Sequence, residues 1–221
     1  MYQSYPHVRS AQSNPLSYLR VTGEGTLSVR PDQADISLGV ITKHQSLQTA
    51  QQTNTQTASQ VLEALRQLEI PSENIQTTTY RIDMDYDYKD GEQIFRGYRV
   101  TNIVQVTVED INQVGLVVDT AVNHGANTVN HIEMKVANPN VYQQQALSLA
   151  IKNAQAKAHT VRQTNGLPVQ TSPFKIKEIR FQEPGRPQTM VLGVSTDSPT
   201  TPIEPGEIQI KSIVEATFLM G

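Results

Sequence analysis

Apolar and polar residues begin to alternate at Leu19, and the alternation changes parity once before residue 40. Val21, Leu27 and Val29 share one parity, Ile36, Leu38 and Val40 the other, and Arg30-Pro31-Asp32-Gln33 lies between them. Two half-buried strands separated by a Pro-Asp turn account for the switch. Over residues 46–69 the period lengthens, with Leu47, Ala50, Asn54, Ala58, Val61, Leu65 and Leu68 at steps of three and four. That spacing predicts one face of a long helix, closed before Pro71. The first half of this helix is mostly Gln, Thr and Ala, so Asn54 is expected at a partly solvated helix end. The sharper alternative is a face completed by another subunit.

From Ile75 the period returns to two. Tyr80, Ile82, Met84, Tyr86 and Tyr88 alternate with Arg81, Asp83, Asp85 and Asp87, and a valine-rich strand follows from about residue 93 to 109. A three-residue loop, Lys89-Asp90-Gly91 with Gly91 at positive φ, would bring even positions opposite even ones. It predicts Tyr86 opposite Ile94 and Ile82 opposite Tyr98. Ile111 to His124 predicts a second helix stopped by Gly125, and Thr128 to Ala137 a strand. Asn138-Pro139 opens a third helix whose apolar face is Leu147, Ala150, Ile151, Ala154, Ala158 and Val161. Its alanines allow a close approach to a sheet. Strands are expected at Phe174–Phe181 and Glu207–Leu219, joined by a long proline-bearing loop, 182–206, that includes Met190-Val191-Leu192. This apolar stretch suggests docking, on the domain or on a neighbouring subunit. The order ββαββαβαββ points to an α+β fold with long helices packed on a mainly antiparallel sheet. Residues 1–18 are expected to form a flexible arm and 19–221 one domain.

Composition narrows the chemistry. Hydrophobic residues make up 37% of the 221 and aromatics 5%, so the core must be built from Val, Ile, Leu and Ala. A formal charge of -3 favours neither nucleic acid nor anionic surfaces. With no cysteine, disulfides, thiol catalysis and thiolate metal sites are excluded. The polar start of the chain has no apolar signal core, and no run is long enough to span a membrane. The chain as written is therefore expected in the cytoplasm, or in the periplasm or cell envelope if a signal has been removed.

Candidate sites are few. Gly23 and Gly25 form a G-x-G pair, but the third glycine of a dinucleotide fingerprint is replaced by Ser28 and a strand follows instead of a helix. These glycines are expected to bend the strand or admit another backbone. Asp83, Asp85 and Asp87 share a strand face but are spaced too widely for one cation, so a solvated charged face that guards against unwanted pairing is expected. His7, His44, His124, His131 and His159 are scattered, and no nucleophile elbow occurs. Asn102, on an apolar face, and Asn127, after Gly125-Ala126, are expected to hold neighbouring backbone.

The motifs V-x-G-x-G (Val21, Gly23, Gly25), R-P-D-x-A (Arg30, Pro31, Asp32, Ala34), G-Y-x-V-x-N (Gly97 to Asn102), G-A-N-x-V (Gly125 to Val129) and P-I-x-P-G-E-I (Pro202, Ile203, Pro205, Gly206 to Ile208) resemble those of the SIMPL domain family. With the alanine-spaced helix 146–158 they cover residues 19 to about 219. The resemblance implies a SIMPL-like α+β fold, no established enzymatic activity, no cofactor, and in some relatives assembly into large ring or channel-like homo-oligomers. The expectation is a non-catalytic, self-assembling scaffold or stress-linked binding module. Its contact surfaces would be the first helix, the Tyr-rich hairpin 80–98 and the loop 182–206. The alternative is a small-ligand binder or hydrolase with a pocket under that loop.

Overall fold

A computed structural model describes residues 17–182 and 200–221. The expected arm, His7 and Met190-Val191-Leu192 lie outside the described residues, apart from Ser17 and Tyr18 at the arm's end. Among the described residues, seven strands and three α-helices follow in the order ββαββαβαββ: β1 (Tyr18–Val29), β2 (Gln33–His44), α1 (Leu47–Gln67), β3 (Ile75–Lys89), β4 (Glu92–Val108), α2 (Val114–Asn123), β5 (Thr128–Lys135), α3 (Pro139–Asn165), β6 (Lys175–Gln182) and β7 (Ile208–Leu219). The class is α+β, and the strands divide between two antiparallel sheets, β1-β7-β6 and β3-β4-β2-β5. Although β1 and β2 are separated only by the Arg30-Pro31-Asp32 turn, they belong to different sheets. The described residues form two compact units, one from residues 17–27, 140–182 and 210–221, the other from 28–139 and 200–209.

In the first unit α3 packs on the sheet through small residues. Ala146, Ala150, Ala154 and Ala158 recur every four residues and are all buried. A Cβ at Gly23 would collide with the Ala150 carbonyl oxygen and come within 2.8 Å of Ala154 Cβ; one at Gly25 would strike the Ala146 carbonyl oxygen. The two glycines therefore let the helix backbone rest on the strand backbone. Phe218, Val214, Ala216 and Val169 fill the remaining core. Lys211 pairs with Glu24 at 2.8 Å, and the bond from its ammonium, reinforced by its charge, holds the Glu24 carboxyl below the usual range.

The second unit is packed with branched side chains. Ile36, Leu38 and Val40 of β2 and Val104, Val106 and Val108 of β4 meet Val61 and Leu65 of α1 and Val114, Val117 and Ala121 of α2. Ser46 caps α1, its hydroxyl accepting from the Thr49 amide at 3.5 Å.

Two expectations are corrected here. Asn54 is not at a solvated helix end: it is fully buried, and its Nδ2 donates to the carbonyls of Val40 (3.0 Å) and Val100 (3.2 Å) on adjacent strands. One amide thereby ties α1 to β2 and β4 at once. The β3–β4 register also differs. Asp90 (φ 54°) and Gly91 (φ 86°) both have positive φ, the pattern of a two-residue type I′ turn, and Lys89 pairs with Glu92. Even residues therefore face odd ones near the tip, with Tyr86 opposite Phe95 and Asp87 opposite Ile94. An irregularity at Asp85/Tyr86 leaves Arg96 unmatched and restores even-to-even pairing beyond it, with Met84 opposite Tyr98 and Ile82 opposite Val100.

Candidate interaction surface

The β3–β4 hairpin presents two unlike faces. On the helix side, register sets Val40, Asn102 and Tyr80 in one row across β2, β4 and β3, and Thr42, Val100 and Ile82 in the next. Helix α1 packs over β2 and β4, so burial fades toward the edge strand. Val40 is 2% and Val100 0% exposed, whereas Tyr80, Ile82 and Met84 are 50%, 39% and 59% exposed. Farther out, Phe95 meets Tyr86 and Tyr98 edge-on at centroid distances of 5.7 and 5.3 Å. These contacts arrange the aromatic rings into a connected, solvent-exposed apolar strip.

The opposite face is charged but balanced. Arg81 pairs with Asp83 at 2.7 Å, Asp87 with Arg96 at 2.7 Å, and Asp85 with both Lys43 (2.9 Å) and Arg99. The bond from Lys43, with the charge and bond of Arg99, keeps the Asp85 carboxyl below its usual range. Each aspartate thus has its own cation, and among the described residues no grouping of His, Cys, Asp and Glu could hold a metal ion. The row of carboxylates was legible in the sequence. Arg81, the partner of Asp83, lies on the same strand, whereas the counter-ions of Asp85 and Asp87 depend on the register of β4 and on Lys43 of β2, and only the folded sheet brings them together.

The other candidate positions serve different ends. Asn127 Oδ1 accepts from the Ile41 amide and its Nδ2 donates to the Ile41 carbonyl, both at 2.8 Å. A single side chain thereby replaces the strand partner where β5 stops pairing with β2. Asp32 accepts from the Ala137 amide at 2.8 Å, closing the end of β5, and Pro31 before it is buried. Asn102 holds no loop through its carbonyl: Oδ1 is enclosed without a partner, as is Asn54 Oδ1. Pro205 is half-buried and Gly206 takes φ 62°, a left-handed turn just before β7.

The described end of the proline loop is anchored on α2. Thr201 donates through its amide (2.8 Å) and its hydroxyl to the Asp119 carboxylate, and Ile203 packs against the core. Thr201's hydroxyl and amide bonds hold the Asp119 carboxyl below its usual range. A shallow groove of about 300 Å³ lies in the other unit, lined by Asn140, Gln143, Gln144, Leu147 and Glu178. Sequence reading missed a polar cluster on β2, where Asp35 accepts from Thr107, Gln105 and Lys135. Its only signal was a carboxylate on the outward parity beside Ile36.

The family model SIMPL, described as a protein of unknown function (DUF541), matches residues 19–218. The uncharacterized protein YggE of Escherichia coli K12 is 26% identical over 217 residues, covering 95% of this chain and 87% of that protein. The YggE protein of Edwardsiella ictaluri is 23% identical over 96% of this chain and 90% of its own length. The 26 kDa periplasmic immunogenic protein of Brucella melitensis is 29% identical over 154 residues, 67% of this chain and 62% of that protein. Among the described residues, no helix is long and apolar enough to cross a membrane.

Proposed function

The chain belongs to the SIMPL family, and from that premise we propose that it is a non-catalytic binding module that self-associates, a scaffold rather than an enzyme. The observation that carries this reading is the exposed strip Tyr80, Ile82, Met84, Tyr86 and Phe95 on the β3–β4 hairpin. Connected aromatic and aliphatic surface at a sheet edge gains free energy when another protein covers it. The lowered carboxylates support the same reading, because each is accounted for by a structural partner: Lys211 for Glu24, Lys43 and Arg99 for Asp85, Asn112 for Asp110, Thr201 for Asp119. The Brucella melitensis relative is a periplasmic protein, and we extend that compartment, and a stress-linked role for the scaffold, to this chain as part of the proposal.

Sedimentation or native mass measurement across a wide concentration range tests the central element. The expected outcome is a mass that rises in whole multiples of 24.5 kDa with concentration. A single-chain mass throughout contradicts it.

A further inference from the structure

The edge strand β3 carries an internal symmetry that points to its partner. Between its two irregularities, at Thr77/Thr79 and Asp85/Tyr86, the strand runs regularly from Thr79 to Asp85, and Ile82 is the midpoint of that stretch. β3 lies at the margin of its sheet, with β4 on one side and no strand of this chain on the other among the described residues. Suppose a second β3 lies antiparallel to the first, related by a twofold axis through Ile82. Tyr80 then faces Met84 of the other copy, Ile82 faces Ile82, Arg81 faces Asp83 and Asp83 faces Arg81.

Every pair from Tyr80 to Met84 is favourable in that register. The exposed apolar residues cover one another on one face, and on the other two reciprocal ion pairs form between groups that pair within their own strand in the single chain. Neighbouring registers fail. Centring on Arg81 sets arginine against arginine, and centring on Asp83 sets aspartate against aspartate. A shift by one residue places the apolar set against the charged set. Of the charges along this stretch, Arg81 and Asp83 are opposite in sign and symmetric about Ile82, so they select one register instead of forbidding all of them.

We propose that β3 is a homotypic pairing edge: two copies of the chain join their four-stranded sheets across a twofold axis at Ile82. The proposal rests on the self-association reading above and adds to it the surface, the register and the symmetry. The partner is a second copy of this chain because the complementary sequence is β3 itself, an isologous contact.

Charge reversal and mixing test it. Arg81→Asp leaves two aspartates opposite two aspartates in the homotypic pair, and Asp83→Arg leaves two arginines opposite two arginines. Each variant alone should self-associate at least about tenfold more weakly than the parent. An equimolar mixture should recover near-parental association, because positions 81 and 83, both acidic in one variant, then face the same two positions, both basic, in the other. Both positions are surface residues, so loss of folding is not expected, and circular dichroism of each variant checks it. Register is read separately. The chain has no cysteine, so Ile82→Cys carries a single thiol that dissolved oxygen should oxidise to a covalent dimer. Tyr80→Cys and Met84→Cys should not dimerise in this way, since each thiol would lie about 13 Å from its own copy. Self-association that is unchanged in the single variants, or is not rescued in the mixture, overturns the pairing while leaving the scaffold reading in place. A parent protein that stays single-chain at every concentration overturns both.

Discussion

The two compact units pack a helix on an antiparallel sheet by opposite means. In the first, α3 lies on β1 through Ala146, Ala150 and Ala154 against Gly23 and Gly25, so main chain meets main chain. In the second, α1 and α2 are held away from β2 and β4 by Ile36, Leu38, Val61, Leu65 and Val106. A chain poor in aromatics can thus build two cores: one depends on the absence of side chains, the other on their interdigitation. The first contact should tolerate almost no added atom, whereas the second should feel chiefly the removal of atoms.

The contrast breaks most sharply at the glycines. Gly25→Ala or Gly23→Ala is expected to destabilise the protein by about 3 kcal/mol or more, at the upper end of overpacking costs, because the obstacle is a helix carbonyl instead of a flexible side chain. Urea unfolding measures this, and an effect under about 1 kcal/mol would show that α3 can slide away. In the second unit, Val61→Ala is expected to cost about 2 kcal/mol by loss of buried methyl groups and the cavity left behind. Asn54→Ala comes next, at about 1 to 2 kcal/mol, because it removes the two buried bonds by which α1 holds the Val40 and Val100 carbonyls.

The smallest effect lies at Asp119. Its folded-state carboxyl is held below the unfolded value by Thr201, so the stabilisation it lends is fully present above the unfolded pKa. It is lost as pH falls through the lower, folded pKa. Protection of the Thr201 amide, taken relative to its intrinsic exchange rate, should therefore fall as pH drops below the ordinary carboxylate range and before global unfolding, and Asp119→Asn should remove that pH dependence. An acid response that persists in the variant would assign it to another group.

Much of this contrast was legible beforehand, because helix and strand periods are local properties. The apolar steps from Leu47 to Leu68, the alanine-spaced α3 and the value of Gly23 and Gly25 as points of backbone approach follow from residue type and spacing alone. What escaped was non-local. That β1 and β2 join different sheets depends on β7 and β6, which come from the other end of the chain. Asn54 looked solvated because its sequence neighbours are Gln and Thr, yet it faces the carbonyls of Val40 and Val100 inside two paired strands. The hairpin register was misjudged by one turn residue: Asp90 as well as Gly91 adopts positive φ, which shortens the loop to two residues and moves the parity change to a bulge at Arg96. The same register determines which residues of β3 share the regular stretch centred on Ile82, so the proposed edge was visible only after the bulges were placed.

The exposed hairpin carries the proposed assembly, and amide hydrogen exchange on Thr79–Asp85 at low and high protein concentration tests it most directly. If the β3 edge is where copies meet, outward-facing amides in this stretch should exchange several-fold more slowly at high concentration, while those of α3 and β7 stay unchanged. Equal exchange at both concentrations, in a sample whose mass shows that copies have assembled, would contradict the claim that the hairpin carries the assembly.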